Sequence, residues 1–158
     1  MKLILCAACA SFIGTMTFAG QSFDGSGTGS GQSMNEVTVL GEGHMLVQSL
    51  SAYEPLATND PENPMAGLPG KCFGSFEINR ASAAGAGHCV FAKEGVSTVV
   101  TDWVVTGMTA EGAMTGTWSV IGASGAAAGL TGGGRFSNLS NREAGTFENT
   151  ITGAVAMP

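Results

Sequence analysis

Charge is scarce in this chain. Only 11% of its 158 residues are Asp, Glu, Lys or Arg, and six cations stand against twelve acids, a formal charge of −6. Phosphates and anionic lipid surfaces are held by clustered cations, so nucleic acid and a charged membrane face are excluded as partners. A hydrophobic share of 44% with so little charge also excludes charge-driven disorder. Long apolar runs are missing too: the stretch Leu3 to Ile13 is interrupted by Gly14, Thr15 and Thr17 before it could span a bilayer. No Gly-X-Y period accompanies the 25 glycines, which rules out collagen. What remains is a small, glycine-punctuated domain of a size to hold one core.

Met1-Lys2, a short apolar run and the small residues Thr17 and Ala19 describe a signal peptide over residues 1–19, cleaved after Ala19. Removal of Lys2 takes the charge to −7. The expected location is secreted or periplasmic, with no stable membrane insertion once the leader is gone, and an oxidising compartment for Cys72 and Cys89. Residues 20–34, which include Gly25, Gly27, Gly29 and Gly31, read as a flexible Gly/Ser-rich tail, and residues 35–158 as the folded domain. The tail is not a dinucleotide loop, since no strand precedes it and no apolar helix follows. Gly129 to Phe136 is not a phosphate loop, because Arg135-Phe136 stands where Lys and Ser or Thr are required.

From Glu36 onward the apolar period is two and no helical stripe occurs. Strands are predicted near 36–50, 71–79, 86–92, 96–107, 112–121, 133–139 and 144–155, the first bending at Gly41 and Gly43 so that it counts as two. The four prolines between Tyr53 and Gly70 mark a long loop placed to shelter a barrel mouth. The fold class is therefore all-β: an antiparallel up-and-down β-barrel of about eight strands, with a β-sandwich as the alternative.

Turn chemistry sets a register. Lys93-Glu94-Gly95 suits a three-residue hairpin loop ending in a left-handed glycine, which pairs Ala92 with Val96, Val90 with Thr98 and His88 with Val100. A turn at Arg80-Ala81 sets Cys72 opposite Cys89, and a disulfide between them is expected. One face then carries Cys72, Phe76, Ile78, Cys89, Phe91, Val99, Trp103, Val105, Met114 and Trp118 and is assigned to the interior, with no polar group among them. The opposite face, with Phe73, Val90, Val100 and Val104, is too apolar to stay wet and suggests a homo-oligomer, or a second sheet packed on it.

Catalytic signals are thin. His44 and His88 with Cys72 and Cys89 lack the short paired spacing of a zinc site, so no metal and no cofactor are expected. Gly122-Ala123-Ser124-Gly125 misses the nucleophile elbow by one residue. Asp102, between Trp103 and neighbouring valines, is the single weak candidate for an acid or base. Glu36, Glu42 and His44 alternate on one solvated face. Asn138-Leu139-Ser140 is a formal glycosylation acceptor.

The run Gly116 to Phe136, with Gly85-Ala86-Gly87-His88-Cys89 and Cys72-Phe73-Gly74 before it, resembles the allene oxide cyclase and dirigent-like barrels, in particular uncharacterised secreted bacterial members. That resemblance implies an eight-stranded barrel with an apolar cavity, often in trimers. The usual Gly-Thr-Gly-Lys-Phe/Tyr piece is replaced by Ala123 to Ala127, and no catalytic residue of those families maps onto a numbered position here. The function expected is binding of a small apolar molecule by Phe76, Phe91, Trp103, Met114 and Trp118. A cyclase or stereochemical guide working in the same cavity, and an envelope protein with a filled core, are the alternatives.

Overall fold

The computed structural model describes residues 20–158; the leader expected at 1–19 lies outside the described residues. Ten strands make one sheet: β1 (Gln21–Asp24), β2 (Gly27–Gly41), β3 (His44–Tyr53), β4 (Ala57–Thr58), β5 (Gly70–Asn79), β6 (Ser82–Lys93), β7 (Ser97–Met108), β8 (Met114–Gly125), β9 (Thr131–Asn141) and β10 (Thr146–Met157). Every pairing is antiparallel, and neighbours in sequence are neighbours in space from β5 to β10. The sheet closes where Gly27–Gln32 of β2 pairs with Thr146–Ile151 of β10. The result is an eight-stranded barrel of β2, β3 and β5 to β10, with β1 and β4 as additions. Closure removes the sandwich alternative, because no second sheet covers the outer face.

Residues 20–34 are the largest departure from expectation. They are not a tail: β1 and the first half of β2 lie end to end along β10, with Gly25 N–H donating to the Gly153 carbonyl (3.0 Å) between them. The glycines that suggest flexibility permit close packing instead. A Cβ on Gly31 would collide with the Ala52 carbonyl, and one on Gly29 would stand 2.8 Å from the Tyr53 ring.

The first predicted strand does divide, with the turn at Glu42-Gly43 and Gly43 at φ +67°. Beyond Gln32 the β2 strand pairs with β3 alone. Pairing of β6 with β7 is two residues off the predicted register: Lys93 faces Ser97, Val90 faces Val100 and His88 faces Asp102. Gly95, at φ +70°, occupies the middle of the loop 94–96 rather than its end. A slip of two keeps every side chain on its face, so the interior assignment survives.

Cys72 and Cys89 are directly opposed and form a disulfide, with their Cα atoms 4.0 Å apart. This is closer than the roughly 4.5 Å of an ordinary non-hydrogen-bonded pair. Gly74 and Gly87, paired two residues away, leave the strands free to approach. The bridge belongs to one of two buried clusters, with Phe23, Leu56, Met65, Leu68, Phe91 and Val99; the other holds Val47, Phe76, Ile78, Ala83 and Val105. Trp103 packs against both. On the outer face Phe73 and Val104 are exposed while Val90 and Val100 are half-buried.

Peptide mapping should find Cys72 and Cys89 protected from alkylation until reduced, whereas labelling of both without reductant would exclude the bridge. Cys72→Ser together with Cys89→Ser should cost about 3 kcal/mol in urea unfolding, the loop-entropy value for a closure of this length.

Candidate functional site

Alternation along the strands aims a fixed set of side chains inward, and neighbouring strands line them up in rows. One row runs Ser51, Cys72, Cys89, Thr101 across β3, β5, β6 and β7. The next runs Ser49, Gly74, Gly87, Trp103, Trp118, Gly134. Its large rings stand beside residues with no side chain. At Gly74 and Gly87 an added Cβ would lie 2.4 Å and 2.3 Å from the Trp103 ring, so the indole rests on bare backbone. On the other side Trp118 donates its Nε1–H to the Thr152 carbonyl (3.2 Å).

These rows border a cavity of about 120 Å³ that is partly open to solvent. Phe76, Phe91, Trp103, Met114 and Trp118, the five residues singled out from sequence, all line it. The loop after β3 shelters one end, as its prolines suggested: Leu56 and Met65 are buried and reach the cavity, and Leu68 is buried in the same cluster. Asn63 ties that loop down by donating Nδ2–H to the Asp24 carbonyl (2.8 Å) and accepting from Met65 N–H (2.8 Å). The Asn63 side chain therefore stitches the loop to the end of β1.

The interior is not free of polar groups, contrary to expectation. Ser49, Ser51, Tyr53, Thr101, Asn138 and Asn149 also line the cavity. Asn149 donates Nδ2–H to the Tyr53 hydroxyl (3.0 Å), while its Oδ1 is buried without a partner. Tyr53 packs edge-on against Phe91 (centroids 5.6 Å apart) and Phe147 (4.6 Å). Burial pushes its hydroxyl up to about 12, opposed in part by the Asn149 contact, so it stays a neutral phenol at any physiological pH. The signal for these residues was present in the sequence: Phe147, Asn149, Ile151 and Val99, Thr101, Trp103 place a polar residue at an inward position between apolar ones. Ser49, Ser51 and Tyr53 continue the same parity from Val47.

Other candidates do not enter the cavity. Asp102 sits on the outer face opposite His88, and its Oδ1 accepts from both the backbone N–H and the hydroxyl of Ser119. It lines a shallow outer groove with His88, Phe73 and Leu46. His44 contacts Glu77 through Nε2 and Oε1 (2.6 Å) at the surface, far along β3 from the bridge cysteines, which are bonded to each other. Asn138 of the glycosylation triplet is half-buried, lines the cavity and accepts from Ser140 Oγ (3.2 Å).

No protein-family model and no curated protein matches this chain.

Two outcomes test this geometry. Tyr53 is the chain's one tyrosine, so ultraviolet titration reads it alone, and the midpoint should fall near pH 12 rather than near 10. Because the folded value is the higher one, the unfolded chain loses its proton first. The contribution of Tyr53 to stability should accordingly be fully present below pH 10 and fall by about 2–3 kcal/mol as pH rises to 12. Gly87→Ala should destabilise by about 1–3 kcal/mol through overpacking against Trp103 and the Phe73 carbonyl. Gly122→Ala, with open space around its Cβ, should stay within about 0.5 kcal/mol of the parent in the same urea series.

Proposed function

We propose that the protein binds a small apolar molecule inside the barrel. The observation that carries this reading is the 120 Å³ cavity edged by Phe76, Phe91, Trp103, Met114 and Trp118. A void that merely escaped packing holds at most a water or so, in roughly 10–15 Å³, whereas one of roughly 150 Å³ lined by apolar groups takes benzene. The cavity belongs with the second kind, which speaks against the filled-core envelope protein. Pockets for drug-sized ligands start at roughly 300 Å³, so the occupant is compact.

Binding is preferred to catalysis because, among the described residues, no Asp, Glu, His, Lys or Arg lines the cavity and Asp102 lies outside it. The resemblance to allene oxide cyclase and dirigent-like barrels supports a ligand-holding interior and supplies no residue for chemistry. The disulfide supports a secreted or periplasmic setting, since such bonds persist where the compartment is oxidising. Among the described residues no helix is long and apolar enough to cross a membrane.

Nuclear magnetic resonance of the two indole N–H groups provides the test. Titrated benzene should shift the Trp103 and Trp118 signals saturably, and Ser51→Phe, which fills the space, should abolish the shifts while leaving the fold intact. Unsaturable or absent shifts with every compact probe would overturn the reading.

A further inference from the structure

The Asn149 carboxamide is 8% exposed, reaches the cavity, and leaves its Oδ1 without a hydrogen-bond partner. A buried amide oxygen left in that state keeps the cost of its lost hydration, which a ligand able to donate a hydrogen bond would recover. Tyr53 adds the complementary half. Its hydroxyl oxygen accepts from Asn149 Nδ2, so its own proton is free to be given away. Turning the amide over exchanges the roles but still leaves one donor and one acceptor side by side. A hydroxyl group, which both donates and accepts, is the smallest partner that satisfies such a pair.

Charge and size narrow the class further. With no ionisable cation or carboxylate in the lining, a charged ligand would enter without a counter-ion, at a large desolvation cost. The volume lies below the roughly 150 Å³ that takes benzene, so it holds no more than one small ring or a short branched chain. Resting on the binding function proposed above, we infer that the natural occupant is a compact neutral alcohol. Its ring or short branched chain lies among Phe76, Trp103 and Trp118, and its hydroxyl is held between Asn149 Oδ1 and the Tyr53 hydroxyl.

Benzene, cyclohexanol and cyclohexanecarboxylate, titrated separately into the protein and into Asn149→Leu, separate the possibilities. Cyclohexanol should bind the parent and lose about tenfold in affinity in Asn149→Leu, the worth of one hydrogen bond to a buried group. Benzene should bind both proteins within a factor of about two, and the carboxylate neither. Tyr53→Phe should reproduce the loss for cyclohexanol alone, and thermal melts of both variants confirm that they are folded. If benzene and cyclohexanol both bind but Asn149→Leu and Tyr53→Phe weaken them equally or not at all, the hydroxyl anchor is wrong while the cavity reading stands. Tight binding of the carboxylate would likewise overturn the inference. If no probe binds the parent, the binding function itself fails.

Discussion

An eight-stranded barrel has an interior just wide enough for side chains to fill, so each large inward residue needs an absent one beside it. The rest of this structure depends on how that constraint is met. Trp103 lies over Gly74 and Gly87, Phe91 against Gly70, Phe76 against Gly85 and Phe136 against Gly116, each contact too close for a Cβ. The rings of Trp103, Phe91 and Phe136 are laid on bare backbone, and the Phe76 Cβ meets Gly85. The gap between them is the cavity, and it survives because the glycines let the aromatic residues lie against the wall instead of projecting to the axis.

The same constraint explains the polar interior. A cavity bounded by hydrocarbon alone would be indifferent to what occupies it. Here Tyr53 and Asn149, held between Phe91 and Phe147 on one side and the closing strand pair on the other, give the space one direction with hydrogen-bonding capacity. Neither group ionises at physiological pH, so this polar part of the interior stays neutral.

Period-two alternation made the barrel strands, their inward faces and the opposed cysteines legible, because those depend on side-chain parity and on turns only a few residues long. The slip of two between β6 and β7 went unseen because Gly95 suits either loop position and parity does not distinguish them. The tail at 20–34 was misread for a different reason. Its glycines look the same whether they confer freedom or admit a neighbour, and only the partners, Ala52, Tyr53 and Ala57, reveal which. Tyr53 and Asn149 were missed since their meeting joins residues 96 apart in sequence across the barrel seam, where no local rule sets the register.

The seam itself has a kinetic consequence. It joins Gly27 to Ile151, so almost the whole chain must be present before the last ladder forms. Apart from the β3–β5 pairing, which spans the long loop between Tyr53 and Gly70, the other walls of the barrel assemble from adjacent hairpins, which zip as they emerge. The disulfide joins two strands that already share a tight hairpin and does nothing to hasten this final step. During synthesis the early strand β2 therefore waits with a bare backbone edge, and the interval before β10 arrives is when the nascent chain is most exposed to pairing with another copy.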